Sequence, residues 1–396
     1  MQNISSSGDI NRPQQTSDSA LPKSIQQVDK GGGQSKSVDQ PATKTPEYVR
    51  SLNSQDISQA LLNLQKAVTP ENKQILTTML LYGVETSPEA FDLVEQAVKG
   101  SKKGNKLEAS VIAYSKGLNA NSKAVDLISK FLSHNMQFSR GLASLSSGLN
   151  QLKNGLSGFN AFLDPSLVAG VAGFLDDFIE DTKGLKKHAD NLDIKGLFSK
   201  QTDLIQDLRY LKDFFKGIEK KLSSSNNLIA DNLKEVIKKV EKQATEFHDV
   251  LLTQLILSKS PSNQQIAEEF FHYWMIPNPM ATKAKDIQIM VSKDPKNKKK
   301  INPYKTKIVM KCETSDLGDL TIIIEIDDKK MSYKIYTSSE LTQKFVIDEA
   351  PELKKSMEEL NYEVTTIQAL KKVINIEKLL LPTVNLNTIK RISTEV

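Results

Sequence analysis

The stretch that decides the fold of this chain is DLGDLTIIIEIDDKKMSYKIY, which covers residues 316–336. Its first half alternates apolar and polar side chains, which is the pattern of a β-strand with one buried face. The apolar positions of this strand are Leu320, Ile322, Ile324 and Ile326, opposite Thr321, Glu325 and Asp327. A polar turn at 327–330 leads into a second alternating run at 331–335. The stretch therefore predicts a β-hairpin.

Further strands and one helix surround the hairpin. Alternating runs at 287–291 and 308–312 predict two strands before it. After it, apolar residues recur at helical spacing over 346–360, Asn361 suits a left-handed helix end, and a short strand is expected at 362–367. The hairpin thus belongs to a small β/α module of about four or five strands with one helix.

The module begins where the character of the sequence changes. After Ser260-Pro261-Ser262, β-branched residues and prolines become frequent, so we assign the module to 261–370 and a tail to 371–396. Residues 47–260 are predicted to be entirely helical. Residues 1–46 are rich in Ser, Gln, Gly and Asp and contain no aromatic residue, so they are predicted to be disordered. The predicted fold class is α+β with several domains.

Capping patterns predict the helices of the middle region. Thr69-Pro70-Glu71 and Ser87-Pro88-Glu89 each place a capping hydroxyl before a proline at the first helical position. Gly83 and Gly100 supply the left-handed conformation that ends such helices. The two units are predicted to pack as a helix pair, and a last long helix is predicted at about 227–257.

Gly-Leu pairs recur every seven residues at 141–142, 148–149 and 155–156. Together with leucines between them they form one helical stripe. The stripe comprises Leu142, Leu145, Leu149, Leu152, Leu156, Phe159 and Leu163. Each glycine weakens an isolated helix by up to about 1 kcal/mol, so this helix must depend on packing. Both an intramolecular bundle and a dimeric coiled coil fit this seam.

The composition argues against several classes of function. A net charge of +5, from 53 basic and 48 acidic side chains spread along the chain, does not indicate nucleic-acid binding. The basic run Lys296, Lys298, Lys299 and Lys300 could contact phosphate, but it fits a solvated loop between strands better. Cys312 is the only cysteine, so no disulfide forms within the chain. We also expect no Sec-type signal, because the N-terminus lacks a basic start and an apolar core, and no membrane insertion, because the longest apolar run is about half the length of a membrane span.

No catalytic, metal or cofactor motif is present in the sequence. The four histidines, His134, His188, His248 and His272, lack metal-ligand spacing. The acidic residues within 176–181 fit the solvent-facing side of a helix better than a cation site. Neither a Gly-rich phosphate loop nor a nucleophile elbow occurs. We therefore expect a protein that is not an enzyme and that uses no cofactor.

The C-terminal module contains, in order, Lys307–Met310, Leu317-Gly318, Leu320–Ile326, Asp327–Lys330 and Ala350-Pro351-Glu352-Leu353. These residues give a strand, a Leu-Gly dipeptide, an alternating apolar strand, a hairpin and a helix with Pro-x-Leu. In this order the module resembles the C-terminal domain of bacterial flagellar hook-length control proteins over about residues 265–368. Upstream, Tyr273–Pro277 and Ile287–Ile289 resemble the entry strands. Thr314, Ser315 and Asn361 depart from the residues that are common in the family.

This resemblance implies a regulator of type III export. The N-terminal segment would be the export signal, the helical region would measure length, and the module would contact the export gate. Implied partners are the export gate switch protein and the hook and hook-cap subunits. The implied location is the cytoplasm, followed by secretion through the flagellar apparatus. Injectisome needle-length regulators share this architecture, and a cytosolic helical scaffold with a protein-binding β/α module is the alternative from another class.

The candidate partner-binding residues are Leu317, Gly318, Leu320, Ile322 and Ile324. One hypothesis is that the Leu317-Gly318 turn and part of the sheet form a docking edge. The other is that the strand is core and that Gly318 only permits a turn. The sequence alone leaves both interpretations open.

Overall fold

The computed structural model describes residues 54–99, 105–118, 121–134, 136–158, 165–190, 194–222, 228–260, 262, 271–278, 285–294, 301–374 and 376–380. Several sequence-based predictions fall outside these ranges. They concern the segment 1–46, Gly100, Phe159, Leu163, the basic run at 296–300 and the tail beyond Leu380.

The described residues form ten α-helices, nine of which precede the sheet in the chain. They are α1 (Ser54–Asn63), α2 (Pro70–Leu81), α3 (Pro88–Val98), α4 (Lys106–Ser115), α5 (Ser122–Leu132), α6 (Phe138–Gly158), α7 (Pro165–Asp190), α8 (Ile194–Leu222), α9 (Leu228–Ser258) and α10 (Glu340–Glu359). A 3-10 helix follows at Ile376–Leu379.

Side-chain caps fix the start of α2 and α3, as the sequence predicts. The hydroxyl of Thr69 accepts a hydrogen bond from the N–H of Asn72 at 3.1 Å. The hydroxyl of Ser87 accepts one from the N–H of Ala90 at 3.2 Å. Gly83 follows α2 with a φ of +60°, the left-handed conformation expected of a helix-ending glycine. Both helices contribute to one hydrophobic cluster, so the predicted helix pair is confirmed.

The Gly-Leu repeat lies on α6, and its glycines allow α9 to approach closely. The leucines of the described part of the stripe are all buried. A Cβ atom at Gly141 would lie 2.9 Å from Cδ2 of Phe247, and one at Gly148 would lie 3.2 Å from Cγ2 of Val240. Both partners belong to α9, so the seam packs within the chain. Of the two interpretations of the repeat, the structure favours the intramolecular bundle.

Six strands form one sheet in the order β1-β2-β3-β4-β5-β6. The strands are β1 (Phe271–Pro277), β2 (Asp286–Ser292), β3 (Lys305–Thr314), β4 (Gly318–Asp327), β5 (Lys330–Thr337) and β6 (Glu363–Lys371). The first five pair antiparallel, and β6 runs parallel to β5 after the crossover through α10. The sheet has one strand more than the four or five that were predicted. The additional strand is β1, in which apolar residues occupy nearly every position, so that no alternation marks it.

Both faces of the sheet are apolar. On the inner face, Tyr273, Val309 and Ile323 share a hydrophobic cluster with residues of α6 to α9. On the outer face, Ile322 and Ile324 pack with the cluster that α10 covers. The prediction that β4 buries one face only was wrong at Thr321 and Ile323, which are 4% and 8% exposed, because helices cover the sheet on both sides. The predicted α+β class is confirmed.

The helical region and the sheet share a core. The change from helices to strands lies between Ser258 and Phe271, close to the boundary predicted at 260/261. One hydrophobic cluster nevertheless contains both α9 and β1 residues, such as Phe247 and Tyr273. None of the helices that the structure describes is long and apolar enough to cross a membrane.

Candidate partner-binding surface on the C-terminal sheet

Four of the five candidate residues belong to β4, which is an interior strand. Its backbone pairs with β3 on one side and with β5 on the other. A partner therefore cannot extend the sheet at this strand, and contact is limited to side chains and the preceding turn. Ile322 and Ile324 are half-buried on the outer face, whereas Leu320 is only 8% exposed and shares a cluster with Ile376.

The Leu317-Gly318 turn is tied to the start of α10. The N–H of Leu317 donates to the hydroxyl of Thr314 at 2.9 Å, and the hydroxyl of Thr342 donates to the carbonyl of Leu317 at 3.0 Å. Gly318 has a φ of +71°, and a Cβ atom there would lie 3.0 Å from Oγ of Ser338. The glycine thus permits both a left-handed turn and a close approach within the chain.

A side-chain cap fixes the start of α10 above this turn. The hydroxyl of Ser339 accepts a hydrogen bond from the N–H of Thr342 at 3.1 Å. Val346, Leu353 and Met357 recur on one side of the helix and pack against the outer face of the sheet. The position of the candidate residues relative to α10 is therefore set by both its cap and its packing face.

One flank of α10 is directed toward β6. The amide of Gln343 donates to the carbonyl of Ala369 at 2.8 Å. The ammonium of Lys371 pairs with the carboxylate of Glu340 at 2.7 Å and thereby lowers the pKa of Glu340. Both contacts join the helix to the last strand of the sheet. By helical geometry, the opposite flank lies on the side of β4.

That opposite flank, which we call the α10 flank, consists of Leu341, Phe345, Asp348, Glu349 and Glu352. Leu341 is 84% exposed and Phe345 is 47% exposed, although both are large apolar side chains. None of its three carboxylates forms an ion pair with any residue that the structure describes, whereas Glu358 pairs with Lys354 on the same helix. The flank thus combines uncovered apolar surface with three carboxylates that no ion pair among the described residues neutralises, although Lys344 and Lys355 lie within one helical turn of Asp348 and Glu352.

The surroundings of Cys312 and His272, two titratable side chains of the sheet, favour the neutral form of each. Burial raises the pKa of the Cys312 thiol, which opposes formation of a reactive thiolate. The ring of His272 stacks on Trp274 with centroids 5.3 Å apart, and burial together with Lys293 lowers its pKa to about 4. Within the described ranges, no group of three or more His, Cys, Asp or Glu side chains could hold a metal ion.

A cavity of about 70 Å³ lies where α8, α9 and β1 meet. Gln201 and Gln254 line it, and both are more than nine-tenths buried. The side-chain nitrogen of each has no hydrogen-bond partner, although the oxygen of Gln254 accepts a bond from the N–H of Met275 at 3.0 Å. The volume is sufficient for ordered water, which would satisfy both amides.

Sequence reasoning missed the α10 flank, although a pattern for it exists. Leu341, Phe345, Asp348 and Glu352 follow one another at intervals of three or four residues, so they share one side of a helix. The sequence does not show which side of that helix faces the sheet. Nor does the sequence predict that Gln201 and Gln254 line one cavity, because these residues lie on different helices.

Comparison of the chain with protein-family models, with curated proteins and with solved structures found no match.

Proposed function

We propose that this chain is an export regulator of the flagellar hook-length control type, whose C-terminal module binds a partner protein and switches export specificity. The observation that carries the proposal is the order of elements around β4. The strand β3, the Leu317-Gly318 turn, the β4–β5 hairpin and a helix with Pro351 inside it follow in the order that is typical of that family. The export gate switch protein is the proposed partner of the module.

The surface beside β4 supports a binding role for the module. Leu341 and Phe345 are apolar and largely uncovered, and a soluble protein that keeps such residues together commonly uses them for association. The candidate residues Ile322 and Ile324 pack against the same cluster of β5 and β6 residues as α10 does. Hook and hook-cap subunits are the proposed partners of the helical region during secretion.

A cytosolic scaffold is the second candidate function, and one observation favours it. Residues of α6 to α9 and of the sheet share one hydrophobic core. A ruler that passes through a narrow channel has to give up this core, because the described helices pack side by side rather than as one rod. A needle-length regulator of an injectisome would also have to give up this core in order to pass through the channel.

A secretion assay tests the proposal. Culture supernatants are compared between cells with an intact flagellar export apparatus and cells that lack its export gate, with a cytosolic protein as the control for lysis. We expect the chain in the supernatant of the first cells only. Export through an injectisome instead would identify the needle-length alternative, and retention in the cytosol of both cell types would contradict export and favour the scaffold.

A further inference from the structure

We propose that the α10 flank and the adjoining outer face of β4 bind a basic amphipathic segment of a partner protein. Apolar side chains of that segment would cover Leu341 and Phe345, and its Lys or Arg side chains would pair with Asp348, Glu349 and Glu352. The inference rests on the proposed partner-binding role of the module, but not on which secretion system the chain serves.

The apolar part of the flank has no evident role in the fold. The side of α10 that stabilises the sheet carries Val346, Leu353 and Met357. The flank toward β6 is fixed by Gln343 and by the pairing of Glu340 with Lys371. The α10 flank takes part in neither contact, and its two large apolar residues are exposed.

The charge of the flank selects among occupants. Phe345 and Glu352 are two helical turns apart, about 10 Å along the axis, and the carboxylates of Asp348 and Glu349 lie between them. A second copy of this chain would place its own carboxylates against them in a two-fold contact, which is repulsive. Anionic lipid and nucleic acid carry the same sign of charge. A positively charged protein segment is complementary in both charge and hydrophobicity.

The length and shape of the flank indicate an extended contact with a helix. Leu341, Phe345, Asp348 and Glu352 form a continuous row along the helix axis. A partner helix laid along this row would meet apolar residues near the start of α10 and acidic residues near Pro351. The row therefore also sets an orientation, with the apolar residues of the partner next to Leu341.

The test uses the full chain and a fluorescent peptide of leucine and lysine with its leucines at helical spacing. Two reference peptides are a scrambled one without an amphipathic side and one with glutamate in place of lysine. Fluorescence anisotropy gives the dissociation constants. We expect binding of the first peptide only, with an affinity that falls as salt is raised.

Variants then locate the site. Phe345→Ser and the double variant Glu349→Lys/Glu352→Lys should each weaken binding by about tenfold or more, equivalent to about 1.4 kcal/mol. The matched controls are Ile347→Ser, an exposed apolar residue on the other flank, and Glu363→Lys, an exposed acid on β6. The controls should retain the affinity of the unchanged chain. Circular dichroism verifies that every variant is folded.

Several outcomes would overturn the inference. Equal loss of binding in the controls, or no loss in the flank variants, would show that the flank is not the site. Absence of binding by the basic peptide would exclude the stated chemistry, and dimers that Phe345→Ser abolishes would identify a second copy as the occupant. If the flank variants weaken peptide binding but leave export switching unchanged, the proposed function fails and the binding site stands.

Discussion

The carboxylate of Asp286 caps a helix that begins at Phe138. It accepts hydrogen bonds from the backbone N–H groups of Phe138 at 2.6 Å and of Ser139 at 2.8 Å. Asp286 opens β2, so the contact joins the sheet to α6 across a long stretch of sequence. Burial raises the pKa of Asp286, and the two N–H donors act against that effect. The same pair of donors would otherwise be left without partners at the N-terminus of α6.

We expect Asp286→Ala to destabilise the protein by about 1–3 kcal/mol, since it removes a helix cap and leaves buried N–H groups unpaired. Asp286→Asn should cost less, because an amide oxygen still accepts one bond. Urea unfolding followed by circular dichroism measures both changes. The control is Asp316→Ala at an exposed position, and a loss of similar size there would contradict a specific role for the cap.

Two lysines, Lys116 and Lys293, donate hydrogen bonds to the C-terminal end of α9 and the residues that follow it. The ammonium of Lys116 donates to the carbonyls of Leu257 at 2.9 Å and Lys259 at 2.8 Å. Lys293 donates to the carbonyl of Ser258 and to the hydroxyl of Ser260. Burial, with a smaller contribution from Lys293, lowers the pKa of Lys116 to about 7. Burial also lowers the pKa of Lys293.

Stability should therefore rise with pH between about 7 and 9. Because the folded pKa of Lys116 lies below its unfolded value of 10.5, the unfolded chain binds more protons in this range, and raising the pH favours the folded state. The slope from this residue is at most about 1.4 kcal/mol per pH unit. Urea unfolding at several pH values measures it. Lys116→Met should reduce the slope, and an identical slope in this variant would refute the assignment.

Gly318→Ala should destabilise the protein by about 1–2 kcal/mol, because its φ of +71° is strained for alanine and its Cβ would meet Ser338. Gly173 on α7 offers a matched control, since nothing lies within 4 Å of a Cβ atom there. Gly173→Ala should stabilise by about 0.5–1 kcal/mol. Thermal unfolding measures both, and equal signs for the two variants would contradict the account of the turn.

Gly141→Ala should destabilise the bundle by about 1–3 kcal/mol, because α9 leaves no room for the added methyl group beside Phe247. Gly170→Ala has open space around its Cβ and serves as the control in the same type of element. Urea unfolding of both variants is the measurement. A stabilised Gly141→Ala protein would mean that the Gly-Leu repeat does not depend on close helix packing.

The sequence predicted those elements that local chemistry controls. Caps at Thr69 and Ser87 set helix starts, and alternation over 320–326 predicted β4. Asn361 follows the end of α10 with a φ of +63°, which is the left-handed conformation that the sequence predicted for it. These features depend on residues close in sequence, so one amino-acid sequence is sufficient to recognise them.

The sequence alone did not predict the packing of residues that lie far apart in the chain. The burial of Ile323 depends on helices that lie far earlier in the chain, and the cap of α6 comes from Asp286 on a strand. Among the candidate residues, alternation did not reveal that β4 is an interior strand. The exposure of Leu341 and Phe345 depends on how α10 is rotated against the sheet. The hydrogen bond from Gln343 to β6 helps to fix that rotation.

The most direct test of the proposed function is hook length measured by electron microscopy in cells from which the gene is deleted. The account predicts overlong hooks that lack filaments, with normal hooks restored when the full chain is supplied again. Hooks of normal length that carry filaments in the deletion strain would contradict it.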